Sequence, residues 1–205
     1  MAELSSASGV PVATIKYYLR EGLLPPGERT SPNQARYGEE HVRRLKMVRA
    51  LLDVGGLSIA GVREVLAAID DRTSTHSVLG IAQHGLPAPK PRVDDESRAW
   101  AMSLIEKIGE ERGWDVKSDD VVVESLVGTL CVYAELNRTD LLARISDYAE
   151  LAEGLAEVDL GMLSALPTTE SIVEGAVIGT VLGDALFTAL RRLGHQNASA
   201  RRFRR

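Results

Sequence analysis

Apolar residues recur at helical spacing in the first half of the chain. Between residues 39 and 54 they lie one, three or four positions apart, which is the pattern of a helix that buries one face. These positions are Val42, Leu45, Val48, Leu51 and Leu52. Gly55 and Gly56 are typical of a helix end, and Ser58 can cap the helix that follows. The pattern therefore predicts two consecutive helices here.

The C-terminal half shows helical periodicity and no strand-period alternation. Four helices are predicted there, at about residues 95–112, 118–137, 139–163 and 168–194. The expected caps are Ser118 or Asp119 for the second helix and Thr168 or Thr169 for the fourth. We therefore expect a mainly α-helical protein with an all-helical C-terminal domain.

Composition changes between these two regions. Pro87, Pro89 and Pro91 fall within five residues, and such a run prevents a helix, so a linker is expected. The tail is rich in arginine and would be either a disordered end or an arm that grips phosphates. The predicted division is a first domain at 1–70, a linker at 71–95, a helical domain at 96–194 and a basic tail at 195–205.

The segment from Val10 to Leu24 predicts a short amphipathic helix that carries cations and hydroxyls. Its apolar side chains can face a small core, which leaves the others for phosphates and base edges. Those others are Thr14, Lys16, Tyr17, Tyr18 and Arg20. Gly9 lies where a helix-turn-helix needs its tight turn, so the helix from Val12 is the predicted recognition helix.

These residues resemble the opening of the MerR family of transcription regulators. The resemblance continues in order and spacing through Pro25-Pro26, a basic segment at 29–37, the helix from Glu39 and the segment at 56–66, about the first third of the chain. It implies a winged helix-turn-helix head that binds double-stranded DNA, with the recognition helix in the major groove and the wing along the backbone. The implied wing contacts are Arg29, Arg36 and Tyr37.

The chain departs from the family pattern at Ala13, where a polar or basic residue is common, at Lys16, where arginine is common, and in a shorter wing. On the next helix Arg43, Arg44, Lys46 and Arg49 share a polar face, and Arg43 is our expected phosphate contact, although these side chains can equally remain solvated. The resemblance further implies a homodimer that bends and untwists a pseudo-palindromic promoter for RNA polymerase. The long dimerising helix usual after the head is not evident, so dimerisation must be built elsewhere.

Charge is distributed unevenly. The net charge is −5, yet residues 14–49 hold eight Lys/Arg against four Asp/Glu, whereas residues 71–194 hold eleven against twenty-one. Basic character is thus concentrated where the motif predicts DNA contacts. A single cysteine, Cys131, excludes an internal disulfide and a thiolate-cluster metal site, and it is expected to be buried. No signal peptide is evident, and the apolar run at 172–190 contains Glu174 and Asp184, so a buried helix in a cytoplasmic protein is expected.

Gly175, Gly179 and Gly183 repeat every four residues in the last predicted helix. Two uses stay open: tight packing within one subunit, and the seam of a homodimer. The C-terminal domain also supplies side chains that could line an apolar effector pocket or simply form a core. The candidates are Trp100, Met102, Trp114, Tyr133, Tyr148 and Phe187. In architecture alone, this half faintly resembles the ligand-sensing half of TetR-type regulators.

The sequence contains no recognisable catalytic constellation. Its four histidines are scattered, no serine lies in a nucleophile elbow and the glycines form no phosphate loop. We therefore expect a transcription regulator that is not an enzyme and holds no cofactor or metal. The leading version is a regulator that responds to a small apolar ligand, and the main alternative is a ligand-free architectural or partner-binding regulator whose C-terminal domain only dimerises. An enzyme fused to a DNA-binding head is a third, disfavoured version, which would need a pocket with clustered, strongly perturbed titratable groups.

Overall fold

The computed structural model describes residues 1–31, 34–71, 74–86 and 92–203, and these form ten helices and one two-stranded hairpin. The predicted mainly α-helical fold class is confirmed. In chain order the elements are α1 (Ala2–Ser8), α2 (Val12–Arg20), β1 (Glu28–Ser31), β2 (Gln34–Arg36), α3 (Glu39–Asp53), α4 (Ile59–Asp70), α5 (Thr75–Gly85), α6 (Asp95–Arg112), α7 (Val121–Glu135), α8 (Thr139–Leu142), α9 (Ile145–Leu163) and α10 (Thr169–Phe203).

The turn between α1 and α2 lies where the sequence predicts it. Gly9 has φ 69°, in the left-handed region that favours glycine, and its N–H donates to the Ser5 carbonyl at 2.9 Å. The Ser5 hydroxyl donates to the Val10 carbonyl at 2.6 Å, across the turn. These bonds fix the angle at which the predicted recognition helix, α2, leaves α1.

The chain divides into two compact units, Met1–Leu86 with Leu163–Arg205 and Pro87–Met162. We call these the first and second units. In the first, helices α1 to α5 and the N-terminal part of α10 share one apolar core. The core contains fully buried side chains from α2, α3, α4, α5 and α10, and examples in that order are Ile15, Leu45, Val65, Val78 and Val177.

The structure corrects the predicted linker and domain boundaries. A linker without helix was expected at 71–95, but α5 occupies Thr75–Gly85, because Ser74 caps it and Val78 and Ala82 bury its inner face. Pro87, Pro89 and Pro91 lie outside the described residues. The predicted domain at 96–194 is not one compact unit either, since α10 packs with α3, α4 and α5 in the first unit.

The last helix is longer than predicted. It starts after Thr168, whose hydroxyl accepts from the Ser171 N–H at 3.1 Å, and it continues to Phe203. The expected break at 194 is therefore wrong, and the tail is helical as far as Phe203; Arg204 and Arg205 lie outside the described residues. By length and composition Ser171–Phe203 could cross a membrane, a test that core helices of soluble proteins also pass, and it is the one described helix that passes it.

The second unit contains α6, α7, α8 and most of α9. Its core is small and is formed by Ala101, Ile105, Val127, Leu130 and Cys131. Cys131 is buried, as predicted, and burial raises the pKa of its thiol. The buried setting is that of a structural thiol rather than a reactive one.

Charged side chains connect the helices of the second unit. The Arg98 guanidinium donates to both carboxylate oxygens of Glu124, joining α6 to α7. Arg112 and the Trp114 indole N–H both donate to Glu153 of α9, at 2.8 and 3.1 Å. These pairs supplement the small apolar core of this unit.

Two helix boundaries in this unit differ from the prediction. The second predicted helix begins at Val121, because Asp120 rather than Ser118 or Asp119 accepts from the Val122 N–H. The single helix predicted over 139–163 is divided into α8 and α9 at Ala143 and Arg144. No residue at that break is a glycine or proline, so the local sequence carries no signal for it.

Candidate nucleic-acid interface

Helix α2 presents two cations to solvent. Lys16 and Arg20 are exposed, whereas Thr14 and Tyr17 are half-buried. The Arg20 guanidinium carbon lies 5.9 Å from the centroid of the Tyr17 ring, within the range of a cation–π contact. Such a contact orders the arginine at the helix surface without neutralising its charge.

Tyr18 does not lie where the sequence interpretation put it. The side chain was expected on a DNA-facing surface, but it is only 6% exposed and belongs to the core of the first unit. The reason is helical geometry, since Tyr18 follows Ile15 by three residues and shares its buried face. Burial raises the pKa of the Tyr18 hydroxyl, which is expected for a phenol removed from water.

The wing is an antiparallel hairpin. In β1 and β2, Glu28 pairs with Arg36 and Arg29 pairs with Ala35, with an irregularity in register before Ser31. Every described residue of the two strands is exposed, so the Arg29 and Arg36 side chains are free of core packing. The turn predicted at 31–34 includes Pro32 and Asn33, which lie outside the described residues.

The end of the wing is held by close packing. A Cβ added at Gly27 would lie 2.5 Å from the Arg36 carbonyl oxygen and 2.9 Å from the Tyr37 ring. Tyr37 is half-buried and meets the ring of His41 edge-on, at 5.1 Å between centroids. His41 is buried at the start of α3, where its Nδ1 accepts from the Gly38 N–H at 3.1 Å. Sequence reasoning missed His41, although a polar side chain three residues after the N-cap, here Gly38, is in position to cap a helix start.

The four cations on the polar face of α3 have different surroundings. Arg43 and Lys46 are exposed. Arg49 pairs with Asp53 one turn later on the same helix. Arg44 is half-buried and binds Asp70 of α4, so it is engaged within the protein. Of these four, Arg43 and Lys46 are the side chains with the most room to reach a phosphate.

The predicted pocket residues are divided between the two units, and most of them are exposed. Trp100, Trp114, Tyr133 and Tyr148 are exposed side chains of the second unit, and Met102 packs against its core. Phe187 is exposed on α10, which belongs to the first unit. The effector site therefore stays a prediction.

The glycine stripe of α10 has two different environments. A Cβ on Gly175 would lie 2.7 Å from Leu166 Cδ1, so this glycine allows close packing within its own chain. A Cβ on Gly179 would meet no atom within 4 Å. Beyond Leu182 the helix exposes Leu186, Leu190 and Leu193, each more than half exposed. Packing within one subunit therefore explains Gly175, at the beginning of the stripe, but it leaves the leucines that continue the stripe exposed to solvent.

Comparison with known proteins agrees with the geometry of the head. Residues 1–69 match the model of the MerR HTH family regulatory proteins. The chain is similar to a mercuric resistance operon regulatory protein of Serratia marcescens, at 33% identity over 46% of this chain and 64% of that protein. It is also similar to the HTH-type transcriptional regulator HmrR of Sinorhizobium medicae (strain WSM419), at 35% identity over 38% of this chain and 52% of that protein.

The chain thus spans 64% and 52% of the lengths of these two relatives. Similarity over nearly the whole chain is found with SCO5550 of Streptomyces coelicolor A3(2), a protein assigned as a transcriptional regulator whose crystal structure is known. That match has 36% identity and a TM-score of 0.69, and it covers 98% of this chain and 96% of that one. With its helix-turn-helix, its hairpin wing and these relatives, the chain belongs to the MerR HTH family of regulatory proteins.

Proposed function

We propose that this protein is a cytoplasmic, homodimeric transcription regulator that binds double-stranded DNA sequence-specifically and is not an enzyme. The observation that carries the proposal is the set of exposed cations on α2 and the wing, in a chain that is acidic overall. Lys16 and Arg20 would contact DNA in the major groove, with Thr14 and Tyr17 beside them, while Arg29, Arg36, Tyr37 and Arg43 would bind the backbone.

Selection from a random duplex library would identify the preferred site, and fluorescence anisotropy would then measure affinity against salt. Replacing Lys16 with Ala should weaken binding and, if the contact is to a phosphate, lower the slope of log K against log salt by about 0.9. Lys107→Ala is the matched control, because Lys107 is also an exposed lysine on a helix but lies in the second unit. Equal curves for both variants would refute the docking of α2 on DNA.

The distal half of α10 supports homodimerisation. Its exposed leucines continue the glycine stripe with alternating steps of four and three residues, the spacing of a two-helix coiled coil. The series is Gly179, Gly183, Leu186, Leu190, Leu193, Asn197 and Ala200. A leucine seam in water is unfavourable unless it is covered, and we propose that α10 of a second copy covers it. Gly175 would then allow close packing within its own subunit, and the interface between the two copies of α10 would begin at Gly179.

Leu190→Glu tests this seam, because it buries a charge if two copies pair there. Sedimentation equilibrium should report a folded monomer. Thr188→Glu introduces the same charge at an exposed position two residues earlier, on the opposite side of the helix, and should remain dimeric. A dimer of unchanged stability in Leu190→Glu would refute this placement.

A dimer with two wings and two recognition helices would bind a pseudo-palindromic site. We propose that it distorts the DNA between the two half-sites and so aligns the promoter elements for RNA polymerase. Energy transfer between dyes at the two ends of a selected duplex would measure that distortion.

A response to a small apolar effector is supported only by the exposed aromatic side chains of the second unit. Both tryptophans of the chain, Trp100 and Trp114, lie there, so their fluorescence would report binding during a compound screen. A screen without a hit would favour the ligand-free regulator.

A further inference from the structure

Two arginines from different helices bind the C-terminal end of α2. Arg44 of α3 donates from Nε to the Leu23 carbonyl at 3.1 Å, and its two terminal nitrogens donate to the Asp70 carboxylate at 2.6 and 2.7 Å. Arg63 of α4 donates from Nε to the Glu21 carbonyl at 2.9 Å and from Nη2 to the Glu21 carboxylate at 2.8 Å. Three of these hydrogen bonds join the end of α2 to α3 and α4, and the other two, between Arg44 and Asp70, join α3 to α4.

The carbonyls at this end need such partners. The last carbonyls of a helix have no partner within the helix and carry the negative end of its dipole. The chain also leaves the helical conformation here: Gly22 has φ 73°, and the Leu23 side chain that follows is fully buried. By donating to the Leu23 and Glu21 carbonyls, the guanidinium groups of Arg44 and Arg63 therefore fix the C-terminal end of α2 against α3 and α4.

The position of that point matters for the exposed cations of α2. At 1.5 Å per residue, Lys16 lies only about 7.5 Å along the helix from Glu21. A small change in tilt at the end of α2 would displace both Lys16 and Arg20 relative to the wing. Base readout tolerates little displacement, whereas a general attraction to phosphates tolerates more.

We propose that Arg44 and Arg63 are positioning residues for sequence recognition, which set the pose of α2 without touching DNA. This proposal rests on the proposed function. Arg44 shares the polar face of α3 with cations suited to phosphates, but its guanidinium is occupied by Asp70 and Leu23. A lysine at position 44 would keep the charge but lose the planar fork, so it could not hold a carbonyl and both carboxylate oxygens together.

Arg44→Lys and Arg63→Lys are therefore the informative variants, and Arg49→Lys is the matched control. All three keep the charge, and among the described residues the ion pair of Arg49 is with Asp53, one turn later on the same helix. Affinities for the selected site and for a scrambled duplex are measured at several salt concentrations. The expected result is an approximately tenfold loss of the ratio of specific to non-specific affinity in Arg44→Lys, with a smaller loss in Arg63→Lys and none in Arg49→Lys.

The salt slope on scrambled DNA separates positioning from direct contact. Arg44→Gln should leave this slope unchanged; a decrease of about 0.9, the value for one phosphate, would overturn the proposal. An unchanged specificity ratio in Arg44→Lys would overturn it too. A pair that only stabilised the fold would lower both affinities by the same folded fraction and preserve the ratio.

Hydrogen exchange in the absence of DNA gives a second readout. The Leu23 and Leu24 amides donate to the Tyr18 carbonyl at the end of α2, and they should exchange about fivefold faster in Arg44→Lys than in Arg49→Lys. Unchanged exchange would show that Arg44 does not hold the end of α2, and would overturn the proposal even if the wild-type protein bound no DNA. Faster exchange without any selectable DNA site would instead refute the proposed function, while the role of Arg44 in holding the end of α2 would stand.

Discussion

Gly55 lies where α10 packs against the end of α3, and it leaves no room for a side chain. A Cβ at this position would be 1.9 Å from Val181 Cγ1 and 2.8 Å from the Leu51 carbonyl oxygen. Ordinary carbon contacts are about 3.5–4.0 Å, so roughly 2 Å of overlap must be relieved. Val181 is itself almost completely buried, and the carbonyl belongs to the backbone of α3. Both neighbours are therefore hard to move.

Gly55→Ala should destabilise the first unit by about 3 kcal/mol, at the upper end of the range for overpacking. Urea unfolding followed by far-UV circular dichroism would measure the loss. Gly80→Ala is the control, because Gly80 is inside α5 and a Cβ there meets no atom within 4 Å. That variant should be more stable than wild type by about 0.5–1 kcal/mol, since alanine is the better helix former.

Val181→Ala in the Gly55→Ala background should recover part of the loss, so the double variant should be more stable than the sum of the two single changes predicts. Strict additivity, or a Gly55→Ala change within about 0.5 kcal/mol of wild type, would refute the argument that α10 packs directly on this glycine.

Three further predictions concern separate contacts. The hydrogen bond from Arg98 lowers the pKa of the Glu124 carboxyl. The stability that this carboxylate contributes is therefore present above the ordinary carboxyl pKa and is lost as pH falls through the lowered value. The difference in unfolding temperature between wild type and Glu124→Gln should accordingly be smaller at pH 3 than at pH 7. Glu153→Ala leaves the Arg112 and Trp114 donors without their carboxylate. Calorimetry should show a loss of stability of about 1 kcal/mol, and fluorescence should show a shift in tryptophan emission. Neither change should occur in the control Glu157→Ala, whose side chain is exposed. Gly27→Ala should distort the wing, because the added methyl group would contact the Arg36 carbonyl oxygen. Binding to scrambled DNA should weaken by several fold, while the dimer stays intact. Normal affinity would show that the wing does not bind phosphates.

Local signals predicted the parts of the molecule that local chemistry determines. The turn at Gly9, the start of α2 and the hairpin wing all follow from glycine, proline and charge positions or from the family pattern that they resemble. The helix predicted at about 95–112 is found at Asp95–Arg112, where Asp94 caps its start and Gly113, with φ 71°, follows its end.

Features that depend on distant parts of the chain were not predictable in the same way. Helix α5 has a modest apolar face, and it packs against α10, which is about a hundred residues away in sequence, as well as against the neighbouring α4. Arg44 could not be separated from Arg43 by sequence, since its role depends on Asp70 and the Leu23 carbonyl arriving beside it. Tyr18 was misplaced for a simpler reason, because two adjacent tyrosines on one helix cannot both face outward when Ile15 fixes the buried side.

The discontinuous first unit has a consequence for how the chain folds during synthesis. Its core takes Val173, Val177 and Val181 from α10, while the 76 residues of Pro87–Met162 form a unit of their own in between. A nascent chain that has released only the head therefore exposes the apolar surface of α3 and α5 until α10 emerges from the ribosome. At roughly 5–20 residues per second, that interval lasts several seconds. The last helix must then close a loop that contains the whole inserted unit before the core of the first unit is complete, and the entropy cost of such a closure rises only slowly with loop length.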